Sequence, residues 1–243
     1  MSKISKLRLR GRVALITGGN QGIGLATARA LAAEGCSLVV TGRNESTLKK
    51  AEKELLRRRA KVLAVQCDVR DPLSVGQLFL QIEERFGRLD ILINNAGVVH
   101  PNLKVADFPL ESWQEVIDTN LTGMFLVTRG ALLMMKRGGV IVNNLSIAAK
   151  RVFPGSSAYA ASKHGALGFT NTLREELREQ GIRVIALLPG ATDTAVWNVL
   201  WPEAPRKKMM SPETVAKAVV DAITAPLDGT IEELTIRPRV GTL

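Results

Sequence analysis

Tyr159 and Lys163 form the pair of residues whose types and spacing could do chemistry. If their segment is helical, residues four apart lie on one face within reach of each other. A phenol titrates near ~10, so it exchanges protons at neutral pH only if its pKa is lowered by about three units. A lysine ammonium one helical turn away has the charge that would lower it. An isolated Tyr-x-x-x-Lys is more often a core tyrosine followed by a surface lysine, so the surrounding elements must decide.

Short apolar runs alternate with helical stretches along the chain. Seven runs have the composition of buried strands: 13–17, 37–42, 61–66, 90–94, 139–145, 182–188 and 231–236. The stretches between them are long enough for helical crossovers between parallel strands. We therefore predict an α/β fold, a Rossmann-like three-layer α-β-α sandwich with a seven-stranded parallel sheet, whose ligands bind at the carboxyl ends of the strands.

The first strand ends in a glycine loop that runs from Gly18 to Gly24 and leads into a helix. Glycines let the backbone approach a pyrophosphate, and a helix N-terminus offers free N–H groups to it. Such a loop by itself is also compatible with a simple turn. The candidate phosphate-binding residues are Gly18, Asn20, Gln21, Gly22, Ile23 and Gly24.

Arg43 follows the second strand, at the position where a dinucleotide fold selects between the two nicotinamide cofactors. An acid there would accept the ribose 2′-hydroxyl, whereas the donor fork of Arg43 favours the 2′-phosphate of NADP(H). Two alternatives stay open. Arg43 is a surface residue before a helix that Asn44 caps, or Glu45 is a rival acid that favours NAD(H).

Polar and glycine residues follow the later strands as well. Asp68-Val69 comes after the third strand, Asn94 to Gly97 after the fourth, Ser146 after the fifth and Pro189-Gly190 after the sixth. Loops favour such residues in any protein. Their common position nevertheless predicts a binding cleft at this edge of the sheet.

No linker composition divides the 243 residues. We predict a basic N-terminal tail, residues 1–10, and a single NAD(P)-binding catalytic domain, residues 11–243, with a substrate loop or lid at 190–210. The basic residues at the start are not followed by the apolar run of a signal peptide, and no run approaches the ~20 residues of a membrane span. We expect a cytoplasmic protein without a membrane partner.

Composition argues against several functional classes. The net charge is +10, but the basic residues are scattered and no aromatic residues interleave with them, so we expect no nucleic-acid partner. Cys36 and Cys67 are the only cysteines and have neither metal-ligand nor disulfide-framework spacing. We predict no metal site and a reducing compartment.

Taken together, these features resemble the short-chain dehydrogenase/reductase family from residue 12 to residue 236. The motifs stand in family order and at family distances: Thr17-Gly18-x-x-x-Gly22-Ile23-Gly24, Asp68-Val69, Asn94-Asn95-Ala96-Gly97, Asn120, Ser146, Tyr159-x-x-x-Lys163 and Pro189-Gly190. The glycine spacing differs from the usual Gly-x-Gly-x-x-Gly fingerprint and is the one that this family uses.

The resemblance implies four catalytic residues. Tyr159 would protonate a carbonyl oxygen as hydride arrives from the nicotinamide, and Ser146 would hydrogen-bond that oxygen. Lys163 would hold the nicotinamide ribose and lower the pKa of Tyr159. Asn120 would position a water that relays protons from Lys163 to solvent.

The resemblance also implies the remaining cofactor contacts. These are Asp68 and Val69 at the adenine, Asn94, Ala96 and Gly97 on the adenosine side of the cleft, and Pro189, Gly190, Thr192 and Thr194 at the carboxamide. The chain departs from the common family pattern at Asn144, Leu145 and Thr192, which puts the packing around the nicotinamide in question.

The leading functional prediction is an NADP(H)-dependent oxidoreductase acting on a ketone or secondary alcohol, with NAD(H) as the alternative cofactor. A second hypothesis is a catalytically silent relative that binds dinucleotide as a redox sensor or scaffold. In the family, the helices that hold Asn120 and Tyr159 commonly pair between subunits, which predicts a homodimer or homotetramer.

The kind of substrate depends on an apolar group formed by Val196, Trp197, Leu200 and Trp201. At this spacing the four side chains share one face of a short helix, which either packs on the core or closes over an apolar ketone. Cations in nearby segments, Lys150, Arg151 and 206–208, would attract an anionic tail, so a 3-oxoacyl thioester stays an alternative substrate.

Overall fold

Seven parallel strands form the middle layer of the structure, a computed structural model that describes residues 7–226 and 228–241. The strands are β1 Val13–Ile16, β2 Ser37–Gly42, β3 Val62–Gln66, β4 Ile91–Asn94, β5 Val140–Asn144, β6 Arg183–Pro189 and β7 Glu233–Ile236. Their order across the sheet is β3-β2-β1-β4-β5-β6-β7. Every predicted strand is present, with ends within two residues of the predicted ones, and the predicted fold class is confirmed.

Helices cover both faces of this sheet. They are α1 Gly22–Ala33, α2 Glu45–Arg57, α3 Pro72–Phe86, α4 Leu110–Ile117, α5 Gly123–Leu132, α6 Ser157–Leu177, α7 Trp197–Leu200 and α8 Pro212–Ile223. Successive strand side chains point to opposite faces. In β1, Ala14 and Ile16 pack with α1, α2 and α8, whereas Val13 and Leu15 pack with α3, α5 and α6. The site at the end of the sheet is thus held by two aliphatic cores.

One predicted helix is interrupted where it passes the site. The sequence predicts a continuous helix over 111–136, but α4 and α5 are separated by a π-helical segment, Asp118–Thr122, and α5 ends at Leu132. Such wide turns re-aim side chains and are frequent at functional sites. Gly123 follows the segment, and a Cβ there would lie 2.6 Å from Val69 Cγ2. A glycine is therefore needed for α5 to approach the loop after β3.

Residues 7–10 do not extend away as a tail. Leu9 is buried, and the Arg8 guanidinium donates to Glu34 Oε1 at 2.6 Å and to Thr224 Oγ1 at 2.8 Å. These contacts join residues 7–10 to the folded domain, because the apolar side chain of Leu9 has a core to enter. The rest of the predicted tail lies outside the described residues. Within 7–226 and 228–241, no helix combines the length and the apolar character that crossing a membrane requires.

Candidate active site

A cleft of about 950 Å³ opens at the carboxyl ends of the strands. The sheet order reverses between β1 and β4, and the loops that follow these two strands meet there, as in other open sheets that bind ligands at such a point. Loops after β2, β3, β5, β6 and β7 also line the cleft. Of the site residues predicted from sequence, all but Gly24, Asn94 and Asn120 line this cleft.

The glycine loop after β1 has the features of an anion cradle. Gly18 and Gly22 have positive φ angles of 60° and 53°, where L side chains are strained. A Cβ on Gly24 would lie 2.3 Å from Gly18 O, so the loop closes on α1 only with glycine there. Gln21 makes no side-chain cap on α1, whereas α2, α3 and α8 each have one. The first N–H groups of α1 are therefore available to a phosphate.

The two asparagines at the end of β4, Asn94 as its last residue and Asn95 directly after it, have different environments, which the sequence did not reveal. Asn94 is buried, and its Nδ2 donates to Thr128 Oγ1 and Asn143 Oδ1, both at 2.9 Å. It was predicted as a cofactor residue but does not line the cleft. The reason is strand alternation, since Asn94 lies on the same face of β4 as Leu92, which packs against the helices.

Asn95, which lies within the segment 94–97 predicted to follow the fourth strand at the cleft, takes the position in the cleft. Its Nδ2 donates to the carbonyls of Thr17 and Gly18 at 2.9 and 3.1 Å, and its Oδ1 accepts from Asn144 Nδ2 at 2.9 Å. The carbonyl of Asn144 in turn accepts from Lys163 Nζ at 3.0 Å. Asn144, a departure from the common family pattern, thus connects Lys163 to the glycine loop.

Tyr159 and Lys163 lie on one face of α6, as their spacing predicts. The Lys163 ammonium is 5.5 Å from the centroid of the Tyr159 ring, and Ser146 hydrogen-bonds the Tyr159 side chain. Burial lowers the pKa of Lys163 to about 8. Burial also raises the pKa of Tyr159, and the Ser146 hydrogen bond lowers it by less.

The pKa of Tyr159 is therefore raised, whereas the sequence predicts that Lys163 lowers it. Burial is the largest cause of both pKa shifts and favours the neutral form of each group, although Tyr159 is only half-buried at the cleft wall. The phenol of Tyr159 consequently holds its proton at neutral pH. A protonated phenol beside a hydroxyl can donate to a carbonyl oxygen.

Ser146 has an unusual backbone. Its φ of 149° and ψ of 161° place a non-glycine residue in a region that costs about 1–3 kcal/mol. Its Oγ accepts from Ala148 N at 3.1 Å and caps the short 3₁₀ turn Ile147–Ala149. Strain of this kind persists only where the surroundings hold it, and it is concentrated at functional sites.

Asn120 lies in the π-helical segment and is fully buried. Its Oδ1 accepts from Val98 N at 2.8 Å, and its Nδ2 donates to Val98 O at 3.0 Å and to Ser162 Oγ at 3.1 Å. A Cβ on Gly97 would lie 3.2 Å from Asn120 Oδ1 and 3.9 Å from Lys163 Nζ. Asn120 therefore connects the loop after β4 to α6 through hydrogen bonds with Val98 and Ser162. It does not line the cleft.

Arg43 lines the end of the cleft beyond β2. Its side chain is 48% exposed, and its only ion-pair partner among the described residues is Glu115, 3.4 Å away. Glu45, the rival acid, pairs with Lys49 at 2.6 Å and does not line the cleft. The acid that forms an ion pair with Arg43 is thus Glu115 of α4, which sequence spacing gave no reason to select.

Asp68 lines the same end and has its own partner. Arg70 Nη2 lies 2.6 Å from Asp68 Oδ2, and this hydrogen-bonded guanidinium lowers the pKa of the carboxyl. Asp68 is therefore ionised at neutral pH, and a helix cap at Asp71 fixes the loop that holds it.

The segment 190–210 covers the opposite end of the cleft. Its apolar side chains Val196, Trp197, Leu200 and Trp201 line the cleft, and no residue of α7 is buried. Trp197 Nε1 donates to Thr192 O at 2.9 Å. A Cβ on Gly22 would lie 3.3 Å from Thr194 Cγ2, so the segment reaches the glycine loop.

Two of the cations expected to attract an anionic tail are held by other partners. Lys150 pairs with Glu233 at 2.6 Å, and Arg206 donates to Asp193 Oδ1 at 2.7 Å and to Asn198 Oδ1 at 2.6 Å. None of 150, 151 and 206–208 lines the cleft. Arg206 instead holds the segment 190–210 together.

Comparisons with known proteins agree with this geometry. Residues 12–204 match the family model described as short chain dehydrogenase. A 3-oxoacyl-(acyl-carrier-protein) reductase of Synechocystis is 38% identical over 226 residues, which cover 90% of this chain and 91% of that protein.

Solved structures are similar over nearly the whole chain. An alcohol dehydrogenase from the archaeon Thermococcus sibiricus, complexed with 5-hydroxy-NADP, superposes with a TM-score of 0.88 at 31% identity, covering 96% of this chain and 98% of that one. A 3-ketoacyl-(acyl-carrier-protein) reductase from Brucella melitensis, complexed with NADH, has a TM-score of 0.86 at 28% identity, covering 94% and 97%.

Proposed function

Because the chain belongs to the short-chain dehydrogenase/reductase family and is an oxidoreductase, we propose that it transfers hydride between NADP(H) and an apolar ketone or its secondary alcohol. The observation that carries this proposal is the group of Ser146, Tyr159 and Lys163 in one cleft. A protonated phenol, a strained serine and a buried amine line the same cleft, and none of the three is an apolar side chain that fills a hydrophobic core.

The cleft residues fit a nicotinamide dinucleotide. The glycine loop and the uncapped N-terminus of α1 would hold the pyrophosphate, and Asp68 and Val69 the adenosine. Arg43 would bind a 2′-phosphate, which supports NADP(H) over NAD(H). The carboxyl edge of β6, Pro189 with Gly190, would hold the nicotinamide.

Each side chain has a defined task in reduction. The bound dinucleotide supplies the hydride to the carbonyl carbon. Tyr159 would donate its proton to the carbonyl oxygen, so that the alcohol forms in one step, and Ser146 would hydrogen-bond the same oxygen. Lys163 would bind the ribose hydroxyls and, with Asn120 behind it, return a proton from solvent to Tyr159.

The silent alternative is separated from this function by a substrate screen. The protein is incubated with NADPH and a panel of ketones while the absorbance of the reduced nicotinamide is followed. We expect oxidation of NADPH with apolar ketones. Tight dinucleotide binding without oxidation by any ketone, and without reduction by any alcohol, would favour a sensor or scaffold.

An apolar substrate is supported by the side chains of the segment 190–210. Because Trp197 and Trp201 line the cleft, closure of this segment would exclude water from hydride transfer. Because the Synechocystis relative is a 3-oxoacyl-(acyl-carrier-protein) reductase, a 3-oxoacyl group is an alternative substrate for this chain. The free thiols of Cys36 and Cys67 agree with a reducing, cytoplasmic location.

The Trp197→Ala, Trp201→Ala double variant should lose the preference for apolar ketones over small hydrophilic ones. Removal of two large apolar faces from the cleft should raise KM for apolar ketones by about tenfold or more. The measurement is kcat/KM for matched ketones of both kinds. Trp113→Ala is the control, since Trp113 lies on α4 outside the cleft lining. An unchanged preference in the double variant would remove the support for an apolar lid.

Dinucleotide use should weaken as the pH rises through about 8. The pKa of Lys163 is lowered to about 8 by burial, so the ammonium is present below this pH and is lost above it. A charged donor binds oxygen acceptors more strongly than a neutral amine. The measurement is kcat/KM for NADPH against pH, which reports groups of the free enzyme. Lys163→Arg stays charged and should lack this inflection, and a flat profile in the unmodified protein would contradict the assignment.

Assembly into a dimer or tetramer is proposed from an open face of α6. Gly165 and Gly168 are exposed there, and Phe125 of the neighbouring α5 is 44% exposed. Light scattering at micromolar concentration should give a mass at least twice that of one chain. Gly168→Glu should lower this mass towards that of the monomer. Gly76→Glu is the control, since a Cβ on either Gly76 or Gly168 meets no atom within 4 Å. A monomer for the unmodified protein would contradict this assembly.

A further inference from the structure

Four basic side chains line the cleft, and they differ in their partners. Arg43 and His100 both contact Glu115, and Lys163 donates to the carbonyl of Asn144. The fourth is Arg237, an exposed residue for which no hydrogen bond or ion pair exists among the described residues. A guanidinium that lines a cleft without an acceptor of its own is free to bind an anion from solution.

Arg237 lies at the far end of the cleft from Arg43. It directly follows β7, which pairs with β6 so that Ile236 is opposite Pro189. A Cβ on Gly190 would lie 3.4 Å from Arg237 Cγ and 3.2 Å from Pro238 Cδ. Arg237 therefore stands beside the end of β6, across the sheet from the strand that Arg43 follows.

The proposed dinucleotide already has partners for its phosphates. The pyrophosphate belongs to the glycine loop and α1, and a 2′-phosphate belongs to Arg43 at the other end of the cleft. Four apolar side chains that line the cleft, Phe153, Val196, Leu200 and Trp201, offer no acceptor for a guanidinium. The anion that Arg237 would meet is consequently one that the substrate brings.

We propose that Arg237 binds a carboxylate of the substrate, so that the preferred substrates are apolar oxo acids whose ketone lies at Ser146 and Tyr159. This inference rests on the proposed reductase function. The planar fork of arginine matches the two oxygens of a carboxylate, and the exposed Arg237 guanidinium is accessible to one. Lys150 and Arg206, which the sequence predicts to attract an anionic tail of the substrate, form ion pairs with Glu233 and Asp193 respectively.

The test uses benzoylformate and its longer homologues, each compared with its methyl ester. The ester keeps the ketone and the ring but has no charge. In the unmodified protein kcat/KM should be about tenfold higher for at least one acid than for its ester. Arg237→Gln should abolish this difference by lowering the value for the acid alone. Arg239→Gln is the matched control, since Arg239 is exposed two residues further on and is not among the lining residues.

Binding supplies a readout that does not depend on turnover. The same acids should quench the fluorescence of Trp197 and Trp201 in the unmodified protein and in Arg239→Gln, with Kd raised about tenfold in Arg237→Gln. The Kd for NADPH should be equal in all three proteins. A raised Kd for NADPH in Arg237→Gln would assign Arg237 to the cofactor and overturn the proposal.

The two proposals fail in different ways. Reduction of acids and esters at equal rates, unchanged in Arg237→Gln, would overturn the carboxylate site and leave the reductase function standing. Binding of the acids that depends on Arg237, without oxidation of NADPH by any acid or ester, would overturn the reductase function and leave the anion site. Absence of both binding and turnover of the acids would overturn the carboxylate site.

Discussion

Tyr159→Phe should lower kcat for ketone reduction by about 10²–10⁴-fold. The substitution keeps the ring that lies 5.5 Å from Lys163 Nζ and removes the hydroxyl whose proton Tyr159 would donate. The same hydroxyl is the partner of Ser146. The loss should therefore appear in kcat and kcat/KM alike, as expected for an interaction made in the transition state.

NADPH binding separates this loss from a structural defect. The Kd for NADPH, measured by the fluorescence of the reduced nicotinamide, should be nearly unchanged in Tyr159→Phe. Lys163→Ala is the comparison variant, and it should harm both binding and kcat because Lys163 would hold the ribose. If Tyr159→Phe retained most of its turnover, the proton would come from another group and the assignment of Tyr159 would be wrong.

Arg43→Asp should reverse the cofactor preference. The unmodified protein should favour NADPH over NADH by about tenfold or more in kcat/KM, since a charge-assisted contact contributes about 1.5–3 kcal/mol. An aspartate at this position would repel a 2′-phosphate and accept the 2′-hydroxyl of NADH. The measurement is kcat/KM for both cofactors with one ketone.

A matched control and a neighbouring acid test the role of Arg43. Arg57→Ala should leave the ratio near its original value, because Arg57 is an exposed arginine in the last turn of α2 and does not line the cleft. Glu115→Gln removes the acid 3.4 Å from Arg43 and should raise the preference for NADPH. Equal efficiency with both cofactors in the unmodified protein would contradict the role of Arg43.

The sheet and the edge that carries the site could be predicted because they rest on local patterns. Aliphatic runs reveal strands that are buried on both faces, and the glycine spacing reveals a loop with positive φ at Gly18 and Gly22. The π-helical segment at Asn120 could not be predicted. The segment is a single wide turn between two stretches of helical composition. The helical periodicity of the sequence therefore continues across it without a visible break.

The contacts that site residues make with distant parts of the chain could not be predicted from the sequence. Adjacent Asn94 and Asn95 have different roles because alternation along β4 sends one into the helices and the other into the cleft. The balance of pKa effects at Tyr159 depends on burial, which spacing does not report. Likewise Arg206 is held by Asp193, whereas Arg237 has no such partner among the described residues.

The central claim is hydride transfer from NADPH to a ketone in the cleft that holds Tyr159. The most direct measurement follows a deuterium label from the transferable position of NADPH into the product by mass spectrometry. With an apolar ketone, we predict an alcohol that carries one deuterium from the cofactor, formed by the unmodified protein and nearly absent with Tyr159→Phe. Unlabelled alcohol, or no alcohol with any ketone under conditions where NADPH is bound, would contradict the account.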